Sequence, residues 1–472
     1  MLIEPVTPAP SPAAAAAAVV GQPCPFLLDS GMQIGSFGRY SFVGCDPFAV
    51  LCSKDGNISI TGHGARHVQG NPFDTLDELL AEHELPHAEK PVPLAGGLVG
   101  YLGYDLGHHL ERLPRTTLDD IAVPDLLLGA HDVVYGYDHD SHQGYVLSTG
   151  LPERGRHAEA RARDRAAWLK SLIGGPAATR LDAPASEDRE PTRNFTHQQY
   201  LEAVAQAIEY IYAGDIFQVN LSQRFECELS IPAWELHLRL RERNPAPFAA
   251  YLDFACAGEG TCPDTQVVSA SPERFIRASG RSLQTRPIKG TRPRGHTEDE
   301  DRRLAEELLA SAKDRAELTM IVDLERNDFG RVCSFGSVKV PDLFALESYP
   351  TVHHLVATVT GKLAPGKTYV DLLRASLPGG SITGAPKVRS MEIIDELEPT
   401  QRGVYTGCIG YLGFDWEMDL NIVIRTLTVA HGRAYWQVGG GIVADSTPEG
   451  EYQETLDKGL ALAEALGFEP PA

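Results

Sequence analysis

One lysine in this chain has neighbours that suit it to act as a nucleophile. Lys289 stands between a Pro-Ile pair and a Gly-Thr pair, and Arg292 and Arg294 follow within five residues. A lysine held among other cations gives up its proton more readily, and the neutral amine is the nucleophilic form. Most lysines are instead solvated, so a surface lysine in a basic turn is the simpler interpretation until other motifs are considered.

Three glutamates are placed where they could share a divalent cation. Glu451 and Glu454 lie three residues apart near the start of the last predicted helix, so their side chains project from one face. Glu317 belongs to another charged helix. If Glu317 and Glu454 converge, they form a Mg²⁺ site that keeps positions open for water and a substrate carboxylate. A solvated helix face is the alternative that the spacing leaves open.

A glycine run and a lone arginine could bind an anion. Gly439, Gly440 and Gly441 follow a predicted strand, where their N–H groups could form an anion-binding nest, although a tight turn fits equally well. Arg425 lies in an otherwise apolar predicted strand. An unpaired charge is costly there, so it should face a carboxylate of the protein or of a ligand. The stretch 379–387 is not a nucleotide-binding loop, because it lacks the adjacent Gly-Lys-Ser/Thr of that motif.

The elements that must position these residues indicate an α+β protein. Residues 23–172 are mostly short alternating apolar segments between Gly, Asp and Pro turns, which predicts strands, with a helix over 156–172. From Thr196 onward helices and strands come in blocks, with one helix predicted over 298–323 and one strand over 420–429. Because most connections resemble hairpins, we expect large, mostly antiparallel β-sheets with helices rather than a doubly wound parallel sheet.

The chain divides into two regions around a polar segment. Residues 174–194 are rich in Gly, Pro, Ala and charged residues and have no apolar period, which predicts a linker or a long surface loop. The division predicts an amino-terminal region over 1–173 and a second region over 195–468.

The composition argues against several classes of partner and location. A formal net charge of −22 makes nucleic acid or another polyanion an improbable partner. Eight cysteines occur without a C-x-x-C pair, as expected for reduced thiols in the cytoplasm and not for a cysteine metal site. The apolar run 13–20 is too short to span a membrane and lacks the basic residues of a signal peptide. The sequence therefore predicts a cytoplasmic protein that does not associate with membranes.

Several motifs occur in the order found in one enzyme family. They are Gly214-Asp215-Ile216-Phe217-Gln218-Val219-Asn220-Leu221-Ser222, Ser271-Pro272-Glu273-Arg274-Phe275, Pro287-Ile288-Lys289-Gly290-Thr291, Ile321-Val322-Asp323-Leu324-Glu325-Arg326-Asn327-Asp328, His353-His354-Leu355, the stretch 378–387, and Glu451-Tyr452-Gln453-Glu454-Thr455. Together they resemble the chorismate-utilising enzymes, which include synthases of anthranilate, aminodeoxychorismate, isochorismate and salicylate. The resemblance implies that 195–468 is the chorismate-binding catalytic domain and that the fold is a β-sandwich with helices on the outside. Leu28-Asp29-Ser30 and Arg39-Tyr40-Ser41-Phe42 resemble the family's amino-terminal domain, as in anthranilate synthase component I, over 1–173.

The resemblance implies a role for each candidate residue. Lys289 matches a covalent nucleophile, Glu273 the general acid, and His354 a second group for proton transfer or for binding the C4 oxygen of chorismate. Glu317 and Glu454, with Glu451 acting through water, match the Mg²⁺ site. The matching substrate-binding positions are Gln218, Thr291, Ser381, Tyr405, Arg425, Gly439, Gly440, Gly441 and Lys458.

Two positions distinguish between members of the family. Members that add water to chorismate usually carry lysine at the position of Gln218, whereas glutamine there resembles the ammonia-using members. Anthranilate-forming members normally carry alanine at the position of Lys289, and lysine there is similar to the members that form 4-amino-4-deoxychorismate for 4-aminobenzoate and folate synthesis. The resemblance therefore implies this reaction. Anthranilate formation is the alternative on the same scaffold, and a non-catalytic binding subunit is the alternative of another class.

Ammonia for this reaction would have to come from a partner. The sequence contains no recognisable glutamine amidotransferase region with a nucleophilic cysteine and its histidine. The resemblance therefore implies a separate glutamine amidotransferase subunit that supplies ammonia from glutamine.

A bound tryptophan is a further expectation from the resemblance. The family's tryptophan pocket is matched by Leu28, Asp29, Ser30, Asn244, Pro245 and Phe248. Two departures bear on it: aspartate stands where feedback-inhibited members have glutamate, and Ala-Pro-Phe stands where they have Met-Ser-Pro.

Overall fold

The computed structural model describes residues 1–32, 37–175, 185–186, 190–255, 264–348 and 352–468. The α-helices are α1 (Pro12–Val19), α2 (Pro72–Glu82), α3 (Gly155–Ile173), α4 (His197–Ala213), α5 (Ala233–Arg243), α6 (Glu298–Ala310), α7 (Ala312–Gly330), α8 (Tyr369–Ser376), α9 (Lys387–Leu397) and α10 (Pro448–Leu466). The strands are β1 (Leu2–Val6), β2 (Phe26–Asp29), β3 (Tyr40–Gly44), β4 (Ala49–Lys54), β5 (Asn57–Gly62), β6 (Arg66–Gln69), β7 (Gly97–Leu102), β8 (Leu126–His131), β9 (Val133–Asp138), β10 (Gln143–Ser148), β11 (Thr192–Arg193), β12 (Gln218–Glu228), β13 (Phe248–Asp253), β14 (Thr265–Ser271), β15 (Arg274–Ser279), β16 (Ser282–Thr285), β17 (Ile288–Pro293), β18 (Lys339–Ser348), β19 (Val352–Lys362), β20 (Gly384–Ala385), β21 (Cys408–Gly413), β22 (Glu417–Ile422), β23 (Thr426–Ala430) and β24 (Arg433–Ile442).

The strands form two sheets of 12 strands each, and neighbouring strands run antiparallel. The first sheet has the order β1-β10-β9-β3-β2-β13-β14-β23-β24-β12-β11, with β20 beside β12. The second has the order β17-β19-β16-β15-β22-β21-β7-β8-β4-β5-β6, with β18 beside β19. The predicted α+β class with large antiparallel sheets is confirmed.

The two sheets pack face to face, and helices cover their outer faces. Alternate residues of β13 show this: Ala250 and Leu252 join the cluster between the sheets, together with Tyr101 of the second sheet, whereas Ala249 and Tyr251 face the helices. Helices α1, α3, α5 and α10 pack on the first sheet, and α2, α6, α7 and α8 pack on the second. Within the described residues none of the helices is long and apolar enough to cross a membrane.

Both sheets combine strands from the two regions that the sequence distinguishes. Strand β2 pairs with β13 in the first sheet, and β7 pairs with β21 in the second. Of the predicted linker 174–194, residues 176–184 and 187–189 lie outside the described residues. Its end forms β11, which pairs with β12 at the edge of the first sheet.

The stretch predicted as one helix over 298–323 contains two helices. Ser311 interrupts it with an extended backbone, and its hydroxyl accepts a hydrogen bond from the Asp314 N–H at 3.2 Å, which caps the start of α7. Apolar spacing did not indicate this break, because the cap is a local polar contact. The break matters for the site, since α7 carries Glu317.

The strand predicted over 420–429 is also interrupted. Strand β22 of the second sheet ends at Ile422, and β23 of the first sheet begins at Thr426. Between them Arg425 has a φ of 51°, and its carbonyl accepts a hydrogen bond from the Ala270 N–H at 3.0 Å. The placement of Arg425 inside an apolar strand was therefore wrong: it lies in the turn where the chain passes from one sheet to the other.

Candidate active site

A cavity of about 710 Å³ brings together most of the predicted site residues. Elements of both sheets form its wall, among them β17, β19 and β24, together with α7 and α10. The candidate residues that line it are Glu273, Lys289, Thr291, Glu317, His354, Ser381, Tyr405, Arg425, Gly439, Gly441, Glu451, Glu454 and Lys458. Residues from distant parts of the sequence thus converge on one space large enough for a small ligand.

A bulge in β17 directs Lys289 into this cavity. The pairing of β17 with β19 shifts register between Ile288 and Thr291, so that one extra residue is accommodated on β17. Gly290 in the bulge has a φ of 80°, and a Cβ at this position would lie 2.8 Å from the Asp314 carboxyl carbon. Bulges re-aim side chains beside active sites, and the one in β17 requires glycine for both conformation and space.

Glu273 is a buried carboxyl that faces Lys289. It follows β14, and only 8% of its surface is exposed. Burial raises the pKa of Glu273, while the positive charge of Lys289 and a hydrogen bond with the Ser381 hydroxyl act in the opposite direction. A raised pKa keeps the carboxyl protonated to higher pH, which a general acid needs near neutral pH.

A second buried carboxyl, which the sequence did not single out for a role, lies beside Glu273. Glu325 is on α7, and its Oε2 is buried without a hydrogen-bond partner among the described residues. Burial and the negative charges of Glu273 and Asp328 raise the pKa of Glu325 well above its usual range, against the opposing effects of Thr285 and Lys387. Two such carboxyls do not both ionise readily, so Glu325 retains a proton where an isolated glutamate would lose it.

His354 presents a neutral imidazole to the cavity. It lies opposite Thr291 in the β17–β19 pair, and Thr291 Oγ1 is 2.8 Å from His354 Nδ1. Burial lowers the pKa of His354 to about 4, against the opposing effect of a hydrogen bond to the Gly290 carbonyl. A neutral imidazole suits hydrogen bonding to a ligand oxygen better than donation of a proton as imidazolium.

The two arginines beyond Lys289 are engaged elsewhere. Arg292 donates to Asp314 at 3.2 Å, and Arg294 donates to both oxygens of Asp301 at 2.7 Å. Carboxylates therefore offset both positive charges. The sequence placed both arginines beside Lys289 as cations, but spacing along the chain did not reveal their acidic partners.

The glycine run lies within a strand rather than after one. Gly439, Gly440 and Gly441 belong to β24 and pair in register with β12, which corrects the expected nest or turn. Glycine allows close approach here: a Cβ on Gly440 would lie 2.7 Å from Glu451, and one on Gly441 would lie 2.0 Å from Gln218. Neither Gln218 nor Gly440 is among the residues that line the cavity, although both were expected at the substrate.

Three glutamates line the cavity and fit a magnesium ion. The Ser446 hydroxyl donates to one oxygen of Glu451, while the other oxygen is buried without a partner among the described residues. Burial raises the pKa of Glu451, and the charge of Glu454, itself paired with Lys458 at 2.6 Å, adds to this effect. An orphaned carboxylate oxygen among acidic groups suits a hard cation. The oxygens of Glu317, Glu451 and Glu454 do not all lie within 4.8 Å of one another.

Arg425 and Tyr405 offer donors for a carboxylate of a ligand. Arg425 lines the cavity, and solvent reaches part of its side chain. The surrounding protein nevertheless removes water from its guanidinium and so lowers the pKa of that group. No charged side chain of the described residues offsets this effect. Burial raises the pKa of Tyr405, so its phenol stays protonated. A guanidinium and a phenol hydroxyl together provide charge-assisted and neutral hydrogen bonds to a carboxylate.

A second cavity, of about 440 Å³, contains part of the predicted tryptophan pocket. The expected residues that line it are Leu28, Asp29, Ser30 and Phe248. The other two, Asn244 and Pro245, line the first cavity instead, which corrects their assignment. The chain between Pro245 and Phe248 separates the two cavities, and Pro247 lines both of them.

The acidic side chain of this second cavity already has protein partners. Arg241 donates to Asp29 at 2.6 Å, and the Ser41 hydroxyl donates to its other oxygen at 3.1 Å. A ligand ammonium group would therefore have to share Asp29 with Arg241.

Two amide side chains of the first cavity were not identified from the sequence. Asn220 and Gln437 line it, and the amide oxygen of each is buried without a hydrogen-bond partner among the described residues. Asn220 follows Gln218 by two residues on β12, so strand alternation could have indicated it. Gln437 carries no such signal, because it reaches the cavity through the pairing of β24 with β12.

The chain is similar to known proteins over most of its length. The family model of chorismate binding enzymes matches residues 36–464. The chain is 43% identical over 438 residues to aminodeoxychorismate synthase component 1 of Escherichia coli, which covers 92% of each chain. It is also 43% identical over 445 residues to anthranilate synthase component 1 of Thermus thermophilus, which covers 94% of this chain and 92% of the relative. The crystal structure of anthranilate synthase component I from Streptococcus pneumoniae matches with a TM-score of 0.79 and 32% identity, over 92% of this chain and 93% of that one.

Proposed function

The chain belongs to the chorismate binding enzymes, and from this we propose that it is an aminodeoxychorismate synthase component 1, which forms 4-amino-4-deoxychorismate from chorismate and ammonia. Overall identity does not decide the member, since relatives with either activity are equally similar. The observation that carries the proposal is the position of Lys289, whose charge acts on the buried carboxyl of Glu273 inside one cavity. A facing amine and acid are what displacement of a hydroxyl by a covalent route requires.

In the first step Lys289 forms a bond to the substrate ring. Its neutral amine attacks C2 of chorismate, the ring double bonds shift, and the bond between C4 and its oxygen breaks. Glu273 gives its proton to the departing oxygen, which leaves as water. His354, which contacts Thr291 and lines the same cavity, would hydrogen-bond that oxygen as it leaves.

In the second step ammonia replaces the lysine. Ammonia attacks C4, the double bonds return to their original positions, and the bond between C2 and the Lys289 nitrogen breaks. The carboxylate of Glu273 takes up a proton from the new ammonium group. Chorismate and ammonia thus give 4-amino-4-deoxychorismate and water, and both residues return to their initial protonation states.

The two carboxylates of chorismate would be held at separate places. Glu317, Glu451 and Glu454 would hold Mg²⁺, and the orphaned oxygen of Glu451 supports this assignment. When bound, the ion supplies positive charge toward the ring carboxylate. Arg425 and Tyr405 would hold the enolpyruvyl carboxylate through the donors described above.

Ammonia is proposed to come from a separate glutamine amidotransferase subunit. The name of the relative, component 1, implies a second component. We also propose a cytoplasmic location, because the eight cysteines are scattered without a C-x-x-C pair, which suits reduced thiols.

Product analysis by mass spectrometry tests the proposal. The purified protein is incubated with chorismate, Mg²⁺ and ammonium at mildly alkaline pH, beside a matched Lys289→Ala variant. We expect 4-amino-4-deoxychorismate from the native protein and a loss of at least about 100-fold in the variant, as for removal of a covalent nucleophile. Lys362→Ala, which changes an exposed lysine on β19, serves as the control and should retain full activity.

Anthranilate synthase component 1 is the second candidate, favoured by the equal identity to the Thermus relative. That enzyme would release anthranilate and pyruvate from the same mixture. These products, formed equally well by the Lys289→Ala variant, would contradict the proposal and support the second candidate.

Tryptophan in the second cavity is a separate proposal that rests on the residues lining it. A thermal-shift titration should show Tm rising with the concentration of tryptophan, whereas alanine should not raise it. The same titration on Arg241→Ala, which frees Asp29, distinguishes binding at this cavity from binding elsewhere. No stabilisation of the native protein by tryptophan would exclude the pocket.

A further inference from the structure

A group of metal-ligating side chains lies apart from the active-site cavity. Within the part of the chain that the structure describes, His63, Glu82 and His83 form the only group of three histidine, cysteine or acidic residues whose ligand atoms all lie within 4.8 Å of one another. None of the three lines the cavity that holds Lys289. We propose that they bind a divalent transition-metal ion, with zinc preferred, between the end of α2 and the turn that joins β5 to β6.

His83 is prepared as a ligand by its surroundings. Its Nδ1 donates to the Leu79 carbonyl at 3.0 Å, which fixes the hydrogen on that nitrogen and leaves the lone pair of Nε2 for a metal. The ring lies beside Phe48 and Phe414, with centroids 5.1 and 5.5 Å away. The hydrogen bond and the two neighbouring rings therefore fix the orientation of the imidazole, as a metal ligand requires.

His63 is held in a defined turn although its side chain is exposed. Its N–H donates to the Phe48 carbonyl at 2.7 Å. Gly62 and Gly64 on either side have φ values of 78° and 72°, and a Cβ on Gly62 would lie 2.5 Å from the same carbonyl oxygen. The centroid of the His63 ring is 6.2 Å from that of His83. Backbone contacts thus hold the turn that carries His63 beside His83.

Glu82 adds a negative charge beside the two imidazoles. It is the last residue of α2, and its side chain is exposed. Arg154 donates to its backbone carbonyl and not to its carboxylate, which makes no ion pair within the described residues. Two histidines and one glutamate, with a position left open for water, are a ligand set suited to zinc. Mg²⁺ and Ca²⁺ prefer oxygen ligands alone, so this site differs chemically from the three glutamates of the cavity.

The position of the group suggests what a bound ion would do. Strand β6 is at the edge of the second sheet, and α2 packs on that sheet. An ion held by His63 from the turn and by Glu82 and His83 from the helix end would join the edge hairpin to the helix. Binding to the folded state alone would therefore raise stability.

Zinc titration of the untagged, EDTA-treated full chain tests the proposal. We expect calorimetry to show one zinc per chain at this site and Tm to rise with zinc. His63→Ala and Glu82→Gln should each weaken binding by at least about tenfold, the lower end of the loss seen even for outer partners of a ligand. His67→Ala, which removes another exposed histidine from β6, should leave the affinity unchanged. His83 is left intact because it is buried.

Cobalt provides a spectroscopic readout that adventitious binding would not give. Co²⁺ bound to two histidines, a carboxylate and water should show the intense visible absorption of a four-coordinate site, and His63→Ala should abolish it. Equal zinc affinity in the native chain, His63→Ala and Glu82→Gln would overturn the proposal. So would failure of the native chain to retain zinc at an equimolar concentration. Chorismate turnover is not the readout, so neither result depends on the proposed function.

Discussion

Glu273 owes its proposed role to two features of its surroundings. Burial raises its pKa, while the charge of Lys289 and a hydrogen bond with Ser381 oppose that rise. Acid and nucleophile are thus coupled, because loss of the proton from Glu273 strengthens its attraction to the charged form of Lys289. The motifs indicated both residues, but burial depends on contacts between distant segments that a sequence does not reveal.

Glu273→Gln should remove the general acid and keep the size of the side chain. We expect kcat to fall by about 10²–10⁴-fold with little change in KM, the usual contribution of a positioned acid. In the native enzyme activity should decline as pH rises through the raised pKa of Glu273, because the carboxyl then loses the proton it must give. Profiles of kcat against pH check this, and an alkaline decline that persists unchanged in the variant would contradict the assignment.

Glu325→Gln should change how stability depends on pH. Because the folded-state pKa of Glu325 is raised, the folded protein holds a proton that the unfolded chain releases above pH 4.5. Stability is therefore lost as pH rises through this window, by up to about 1.4 kcal/mol per pH unit. The variant lacks this loss, so its Tm relative to the native protein should increase between pH 5 and pH 8.

An exposed glutamate provides the control for this prediction. Glu209 lies on the solvent side of α4, and Glu209→Gln should show the same pH dependence of Tm as the native protein. If Glu325→Gln behaves like Glu209→Gln, the buried carboxyl does not titrate as described.

Among the secondary-structure elements, the bulge in β17 is the feature that directs Lys289 of the motif into the cavity. The sequence indicated the residues from Pro287 to Thr291 as a motif but suggested a turn, because Gly-Thr after a Pro-Ile pair is typical of one. The structure instead has a strand with one extra residue opposite β19. Whether this segment forms a turn or a strand depends on its pairing with β19, which lies more than fifty residues later in the chain. The local sequence does not contain that partner strand.

Gly290→Ala tests the bulge directly. The new Cβ would meet Asp314 at 2.8 Å in a backbone with φ of 80°. The left-handed backbone and the overpacking together should lower the free energy of unfolding by about 2–5 kcal/mol and displace Lys289, with loss of activity.

Gly336→Ala is the matched control: its φ is 73° and a Cβ there would meet nothing within 4 Å. It should cost only about 1–2 kcal/mol and keep activity, as measured by urea unfolding. Equal effects of the two substitutions would contradict the close packing of the bulge.

Errors in element boundaries share a physical cause. The breaks at Ser311 and at Arg425 fall where a polar cap or a change of sheet interrupts a run that looked continuous. The helix predicted over 156–172, in contrast, was recovered as α3 with both ends within one residue. Positions set by contacts with another segment were the ones that the sequence left undetermined.

At the scale of the whole molecule, the two regions seen in the sequence are parts of one layered structure. A polar segment separates them along the chain, yet β2 pairs with β13 and β7 with β21 across that boundary. The core between the sheets draws on both regions. Composition indicated where one region of the sequence ends and the next begins, but strand pairing determines which segments fold as one unit.

A fragment over 190–472 should therefore fail to reach the native fold. It would lose the strands that flank β13 and β21 and expose apolar faces of both sheets. We expect the full chain to unfold in a single calorimetric transition and the fragment to show no cooperative transition. Two resolved transitions in the full chain, or a fragment that unfolds cooperatively, would contradict a shared structure.

The shape of the molecule does not by itself choose the reaction. Relatives named for aminodeoxychorismate and for anthranilate synthesis are equally similar to this chain. The choice between the two reactions therefore depends on the chemistry of Lys289.

The mass of the peptide that contains Lys289 is the most direct test of that chemistry. The protein is mixed with chorismate and Mg²⁺ without ammonia, quenched, digested and analysed by mass spectrometry, with Lys289→Ala in parallel. We expect this peptide to gain the mass of chorismate less one water, and later addition of ammonium to release the adduct as 4-amino-4-deoxychorismate. An unmodified Lys289 in protein that converts chorismate and ammonium to an amine product would contradict the covalent route.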